Sequence, residues 1–163
     1  MTPPRRRKRG GYFDPDPAAP KPLAIRLTHR VRFSEVDAMG VTWHGRYAQV
    51  FEQANEELGR LCGLGYADFR RERVLAPIVQ LHVDYFAPTV LGEEVAVVGK
   101  LIWCDGARIN MEYEVFKENG VLAAAGYTVQ MFVDASGTAL LANPPLLERC
   151  RNRWLAGKFG DMQ

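Results

Sequence analysis

The sequence predicts an α+β fold in which one long central helix packs against an antiparallel sheet of about five strands. Three observations carry that expectation. A strand-like alternation at residues 25–33 gives way, after a loop, to apolar residues at helical intervals; four more strand-like stretches follow in succession; and an Asn-Gly pair joins two of them as a hairpin. The alternating strand-helix order that announces a parallel sheet is missing.

Ile25, Leu27, His29, Val31 and Phe33 share one face of the first stretch, with Arg26, Thr28, Arg30 and Arg32 on the other, as a half-buried strand requires. Tyr47, Val50, Phe51, Ala54, Leu58, Leu61 and Cys62 then fall at helical spacing and Gly63 supplies a stop, which predicts a helix of about four turns ending near Cys62. The stretch beyond it, with Arg70, Arg71 and Arg73, reads as a loop. Val79, Leu81, Val83 and Tyr85 alternate against Gln80, His82 and Asp84 until Pro88. Residues 95–103 form a mostly apolar strand. Ile109, Met111, Tyr113 and Val115 alternate in the next, and Lys117-Glu118-Asn119-Gly120 turns the chain into a return strand over 121–133, with Gly126 a candidate bulge. Pro144-Pro145 precedes a short helical pattern in Leu146, Leu147, Cys150 and Trp154.

A chain of 163 residues, 47% hydrophobic and 25% charged, fits one domain with a full core. Residues 1–22 hold six basic side chains against Asp14 and Asp16, so the net charge of +2 belongs to this leader and the rest is slightly acidic. Six of the ten prolines also lie there, which predicts a disordered basic tail over 1–22, a single domain over 23–155 and a C-terminal tail over 156–163. The Arg5–Arg9 run lacks aromatic interleaving, so a solubilising tail is expected and no specific nucleic-acid partner. No apolar run approaches a membrane span or signal sequence, and the expected compartment is the cytoplasm. Cys62, Cys104 and Cys150 match no metal-ligand spacing and are expected to be reduced and structural; no metal and no cofactor are predicted.

The chemistry concentrates in residues 37–47. Asp37 opens this run between a strand and a helix, which places a carboxylate near helix N-terminal amides and the positive end of the helix dipole. Such amides hold a carbonyl oxygen that is gaining negative charge. The arrangement suits acyl transfer, although an aspartate before a helix also serves as an ordinary turn or cap residue.

The stretch from Val31 through Gly40, followed by His44 and Tyr47, resembles the hotdog-fold acyl-CoA thioesterases, and more narrowly the 4-hydroxybenzoyl-CoA thioesterase family. Asp37, Gly40, His44 and Tyr47 keep that family's spacing; Phe51-Glu52, Val83-Asp84-Tyr85 with Pro88, and Gly92-Glu93-Glu94 extend the likeness over roughly residues 25–148. The resemblance implies a central helix wrapped by a curved antiparallel sheet, hydrolysis of an acyl-CoA to a free acid and coenzyme A, and a homodimer or homotetramer with active sites across an interface. Asp37 is then the nucleophile or the general base, the His44 N–H polarises the thioester carbonyl, and Tyr47 opens the helix beside them. Gly40, Trp43, Glu52 and Arg108 are the implied substrate-binding residues. Where the family carries consecutive basic residues for the nucleotide phosphates, Trp103–Arg108 keeps only Arg108, which leaves acyl carrier protein as an alternative thiol carrier. A non-catalytic acyl-thioester-binding protein is the rival reading.

Overall fold

The computed structural model describes residues 11–14 and 16–160. The apolar residues spaced along 47–62 form the predicted helix, α1 (Tyr47–Cys62), which buries Tyr47, Val50, Phe51, Ala54, Leu58 and Cys62 and ends where Gly63 turns left-handed at φ 77°. Five strands receive it: β1 (Leu23–Arg30), β2 (Ile78–Tyr85), β3 (Glu94–Ile102), β4 (Arg108–Lys117) and β5 (Leu122–Met131). They pair antiparallel throughout, in the order β1-β3-β4-β5-β2. This is the wrapped-helix architecture that the resemblance implies.

Val95, Val97 and Leu101 of β3 and Ile109, Met111, Tyr113 and Val115 of β4 turn toward α1 and form one core with it. Two glycines let the helix sit this close. A Cβ on Gly99 would lie 2.9 Å from that of Ala54, and one on Gly126 would strike both the Phe51 ring and the His82 carbonyl. Phe51 instead lies flat on Tyr113, with centroids 4.5 Å apart and planes 7° apart. Gly126 is therefore a packing position in regular register with Val83, and the irregularities fall at Ile78/Gln80 and Val115/Phe116.

Several sequence expectations need correction. β1 ends at Arg30, and Phe33 sits in a 3-10 turn, 82% exposed. Residues 66–72 form a second helix, α2 (Tyr66–Glu72), not a loop; seven residues are too few to show a clear apolar period. In the hairpin after β4 only Gly120, not Asn119, takes a positive φ. The last helix, α3 (Pro145–Leu155), buries Leu146, Leu147, Cys150 and Trp154 as the pattern predicts.

The leader is not wholly a free tail. Residues 1–10, including the Arg5–Arg9 run, and Pro15 lie outside the described residues. Tyr12 is buried on the sheet face opposite α1, against Tyr127 and His82. Its N–H donates to Glu112 Oε1 at 2.5 Å, as does that of Phe13 at 3.1 Å, and its hydroxyl donates to Asp84 Oδ2 at 2.6 Å. Lys21 accepts from Trp154 Nε1 at 2.9 Å. At the other terminus the presumed tail begins by packing Phe159 beneath Arg153, whose guanidinium lies 4.4 Å from the ring. Among the described residues no helix is long and apolar enough to cross a membrane.

Candidate active site

Residues 36–42 form a narrow ribbon whose tip carries Asp37. Val36 bridges Thr42, the Asp37 N–H donates to Val41 at 2.9 Å, and Gly40 N–H donates back to the Asp37 carbonyl at 3.0 Å. Gly40 stands at φ 77° with open space around it, so backbone bend rather than close approach accounts for glycine here. Asp37 Oδ1 accepts from Met39 N–H at 2.8 Å and Val41 N–H at 3.4 Å, and among the described residues Oδ2 carries no hydrogen bond. One oxygen thus fixes the carboxylate and the other remains available. Asp37 does not cap α1: the helix is entered through a 3-10 turn at His44–Arg46.

That turn supplies the amides. Its first bond runs from Arg46 N–H to the Trp43 carbonyl at 2.9 Å, so His44 and Gly45 present N–H groups ahead of it with no helical acceptor one turn back. Trp43 lies over this segment. Its ring sits 4.9 Å from the His44 ring and fills the space that a Gly45 side chain would need. Tyr85 donates its hydroxyl to the His44 carbonyl at 2.9 Å and packs edge-on against Tyr47. His44 itself is exposed.

Tyr47 faces the other way. It is buried, and its hydroxyl meets Thr89 Oγ1 at 3.1 Å, which in turn meets Thr42 Oγ1 at 2.6 Å. Burial pushes the Tyr47 phenol up, against the opposing bond to Thr89. Thr42 N–H also donates to the Thr89 carbonyl at 2.8 Å. These three hydroxyls pin the Asp37 ribbon, the helix entry and the Thr89 loop to one another. Thr89 carries no sequence signal, because a threonine between Pro88 and Val90 looks like any loop residue.

Glu35 is a second residue that sequence reading passed over. Its Oε2 meets the buried His29 Nε2 at 2.9 Å and accepts from Arg32 N–H at 2.8 Å. Burial works to raise the Glu35 carboxyl, but the hydrogen bonds from Arg32 and His29 outweigh it and hold the group below its ordinary value. Only the separation of six residues linked His29 to Glu35 in the sequence, and that spacing has no periodic meaning across a strand end.

Glu52 is half-buried on α1 and accepts a hydrogen bond from Tyr66 of α2; burial, then the neighbouring Glu56, pushes its carboxyl up. Arg108 does not join the Asp37 region. The Asp37 ribbon touches the chain just before β3, through the Val41–Val90 bridge and the Leu91-to-Gly40 bond, whereas Arg108 follows the far end of β3. Nine strand residues separate the two ends by about 26 Å. Around Arg108 lies a cleft of about 390 Å³ that also takes in Asp14, Asp16 and Asp105. Among the described residues no group of acidic, His or Cys side chains is arranged to hold a metal ion.

Known proteins are similar to this chain in sequence and fold. The profile of the thioesterase-like superfamily matches residues 31–152. The 1,4-dihydroxy-2-naphthoyl-CoA hydrolase of Synechococcus sp. (strain CC9605) is 31% identical over 146 residues, covering 85% of this chain and 95% of that protein. The acyl-CoA thioesterase YbgC of Haemophilus influenzae (strain ATCC 51907 / DSM 11121 / KW20 / Rd) is 30% identical over 97 residues, 59% of this chain and 71% of its own length. Among solved structures, the DHNA-CoA thioesterase from Staphylococcus aureus superposes with a TM-score of 0.73 at 26% identity, over 83% of this chain and 93% of that one. With the profile spanning most of the chain and the wrapped helix on the page, the protein belongs to the thioesterase-like superfamily, as a thioester hydrolase of hotdog fold.

Proposed function

We propose that the protein hydrolyses an acyl-CoA thioester with Asp37 as its working carboxylate. The observation that carries this reading is the half-committed carboxylate: Oδ1 is tied to Met39 and Val41 while Oδ2 is available, on a ribbon pinned to the amides that open α1. The His44 and Gly45 N–H groups receive the carbonyl oxygen as it gains charge, assisted by the helix dipole. Asp37 then either attacks the carbonyl carbon, forming an anhydride that water opens, or removes a proton from an attacking water; in both routes the sulfur leaves with the electron pair of the broken C–S bond. Tyr47 and Thr89 support this geometry from beneath, and Trp43 with the 81% exposed Met39 offers apolar contact to the acyl group. Glu52, held by Tyr66, lines the helix further along.

The protein acts, in this reading, as a homodimer built on β2. Both β1 and β2 are edge strands, but β1 guards its edge with Arg26, Thr28 and Arg30, whereas Val79, Leu81 and Tyr85 of β2 are each at least half exposed. Arg108, beyond the opposite end of β3 from its own Asp37 loop, meets coenzyme A only at a site completed by another protomer, in a dimer or a tetramer of dimers. Coenzyme A as the thiol carrier is favoured over acyl carrier protein by the substrates named for the relatives. A cytoplasmic location accords with that substrate and with three unpaired cysteines.

Thiol release from a panel of aliphatic and aromatic acyl-CoAs, followed with a chromogenic thiol reagent, tests the function directly. Turnover on at least one is expected; none on any, alongside binding of the same compounds, would instead identify a non-catalytic acyl-thioester-binding protein.

A further inference from the structure

His29 occupies a place that strand alternation assigns to the core. It follows Leu23, Ile25 and Leu27 on the α1 side of β1 and is 6% exposed. A histidine buried there needs partners for its ring nitrogens. They come from two directions: Nε2 donates to Glu35 Oε2 at 2.9 Å, which leaves Nδ1 to accept from Gln53 Nε2 of α1 at 3.5 Å. Glu35 Oε2 also takes the Arg32 N–H at 2.8 Å, and the Glu35 N–H closes the same turn on the Arg32 carbonyl at 3.0 Å. Through one imidazole, the short turn at Phe33–Glu35 is fixed to both β1 and α1.

That turn carries the entry to α1. Its last two carbonyls accept from residues at either end of the 3-10 turn His44–Arg46: Glu35 from Trp43 N–H at 2.9 Å, and Ser34 from Arg46 Nη2 at 3.1 Å. Between these two ties stand the His44 and Gly45 N–H groups. In the other direction Glu35 leads through Val36, which bridges Thr42, straight into the Asp37 ribbon. One residue therefore adjoins both the amides and the carboxylate of the site.

We propose, on the carbonyl-polarising role given above to the His44 and Gly45 amides, that His29 and Glu35 are positioning residues for the hydrolysis. Their hydrogen bond sets the aim of those amides and their alignment with Asp37, so the pair acts through the turn rather than on the substrate. An oxyanion donor works only while it points at the place the charged oxygen will occupy, and its supports must themselves be locked. The Arg32 N–H cannot supply that lock alone, because it belongs to the same turn and moves with it. His29 can, since β1 is paired with β3 from Leu23 to Arg30. The competing use of a buried His–Glu pair is a plain structural staple. Breaking a staple lowers stability but leaves the kcat of the folded protein alone.

Glu35→Ala in the full-length protein, assayed with the acyl-CoA hydrolysed fastest in the panel above, separates the two. It deletes the acceptor for His29 and Arg32 and keeps the main-chain carbonyl. Under conditions where unfolding curves show the variant fully folded, kcat is expected to fall about tenfold with KM within about twofold of wild type. That is less than the ~10²-fold loss on removing an oxyanion donor, because the amides remain and only their aim suffers. Glu35→Gln, whose amide oxygen can accept both bonds, should recover kcat to within about threefold of wild type. Should Glu35→Ala not fold, Glu35→Asp, a methylene too short to meet both donors, takes its place with the same expectation. An unchanged kcat in the folded variant, or equal losses in Glu35→Gln and Glu35→Ala, overturns the proposal. Asp37→Asn run alongside tells the failures apart: if it too retains activity, the site itself lies elsewhere, whereas dependence on Asp37 with indifference to Glu35 rejects the positioning role alone.

Discussion

The two ends of β3 are built on opposite principles. Before its first residue the Asp37 ribbon, the 3-10 turn and the Thr89 loop are held by backbone bonds and three hydroxyls, with Phe33, Met39 and Trp43 exposed around them. Beyond its last residue Trp103 and Trp154 meet edge-on at 5.3 Å, Arg151 covers Trp103, Cys62 and Cys150 are buried, and Trp154 Nε1 ties α3 to the Lys21 carbonyl of the N-terminal segment. One end leaves its large apolar side chains exposed and the other buries most of them. The proposed hydrolysis belongs to the first, and cohesion to the second.

The largest test of that division is Trp154→Ala. Removing a side chain 7% exposed, with its Trp103 contact and its bond to Lys21, is expected to cost about 3–5 kcal/mol in urea unfolding, while the folded fraction keeps its kcat. A comparable fall in kcat would show that the two ends are coupled. Asp37→Asn should do the reverse. The amide oxygen still accepts from Met39, so the unfolding midpoint should hold while kcat drops ~10²-fold or more. A variant within tenfold of wild type would remove Asp37 from the chemistry and bring Glu52 forward.

Tyr47→Phe sharpens the picture within the Asp37 end. The loss of one hydrogen bond to Thr89 should cost about 1 kcal/mol of stability and lower kcat less than ~10-fold. A hundredfold loss would place the phenol among the reacting groups. The smallest effect is expected at Glu35. Its folded carboxyl lies below its unfolded value, so its contribution is complete above that unfolded value, near pH 4.5, and disappears as pH falls through the folded one. Glu35→Gln should therefore lower stability modestly at neutral pH and flatten the acid limb, so that the two proteins converge as pH falls below about 4.5; an identical acid limb would mean that His29 and Arg32 do not hold it.

The same contrast explains what could be read from the sequence. The Asp37 end is almost contiguous: Asp37, Gly40, Trp43, His44 and Tyr47 share one short run, and strand and helix periodicity place it between known elements. Its support was less visible. Thr89 arrives from 42 residues beyond Tyr47, and His29 meets Glu35 across a strand end. The far end is assembled from Lys21, Cys62, Cys104, Arg108, Cys150 and Trp154, distant positions that no local period relates. For the same reason the sequence, which marked Arg108 as an implied substrate-binding residue, did not show how it stands relative to Asp37. Motif order along a chain does not report which end of a nine-residue strand a loop occupies. Tyr12 was obscured by its setting, one aromatic among prolines and arginines, although its target Glu112 was plainly an outward-facing acid on an alternating strand.

The grip of Tyr12 and Phe13 on Glu112 has a practical corollary for anyone shortening this protein. A truncation that starts at Leu23, where regular structure begins, strips two amide donors from a nearly buried carboxylate and a phenol from Asp84, whereas one that starts at Gly11 discards the arginine run and keeps both anchors. The fold's anchors thus reach back to a tyrosine twelve residues in, well ahead of the first strand.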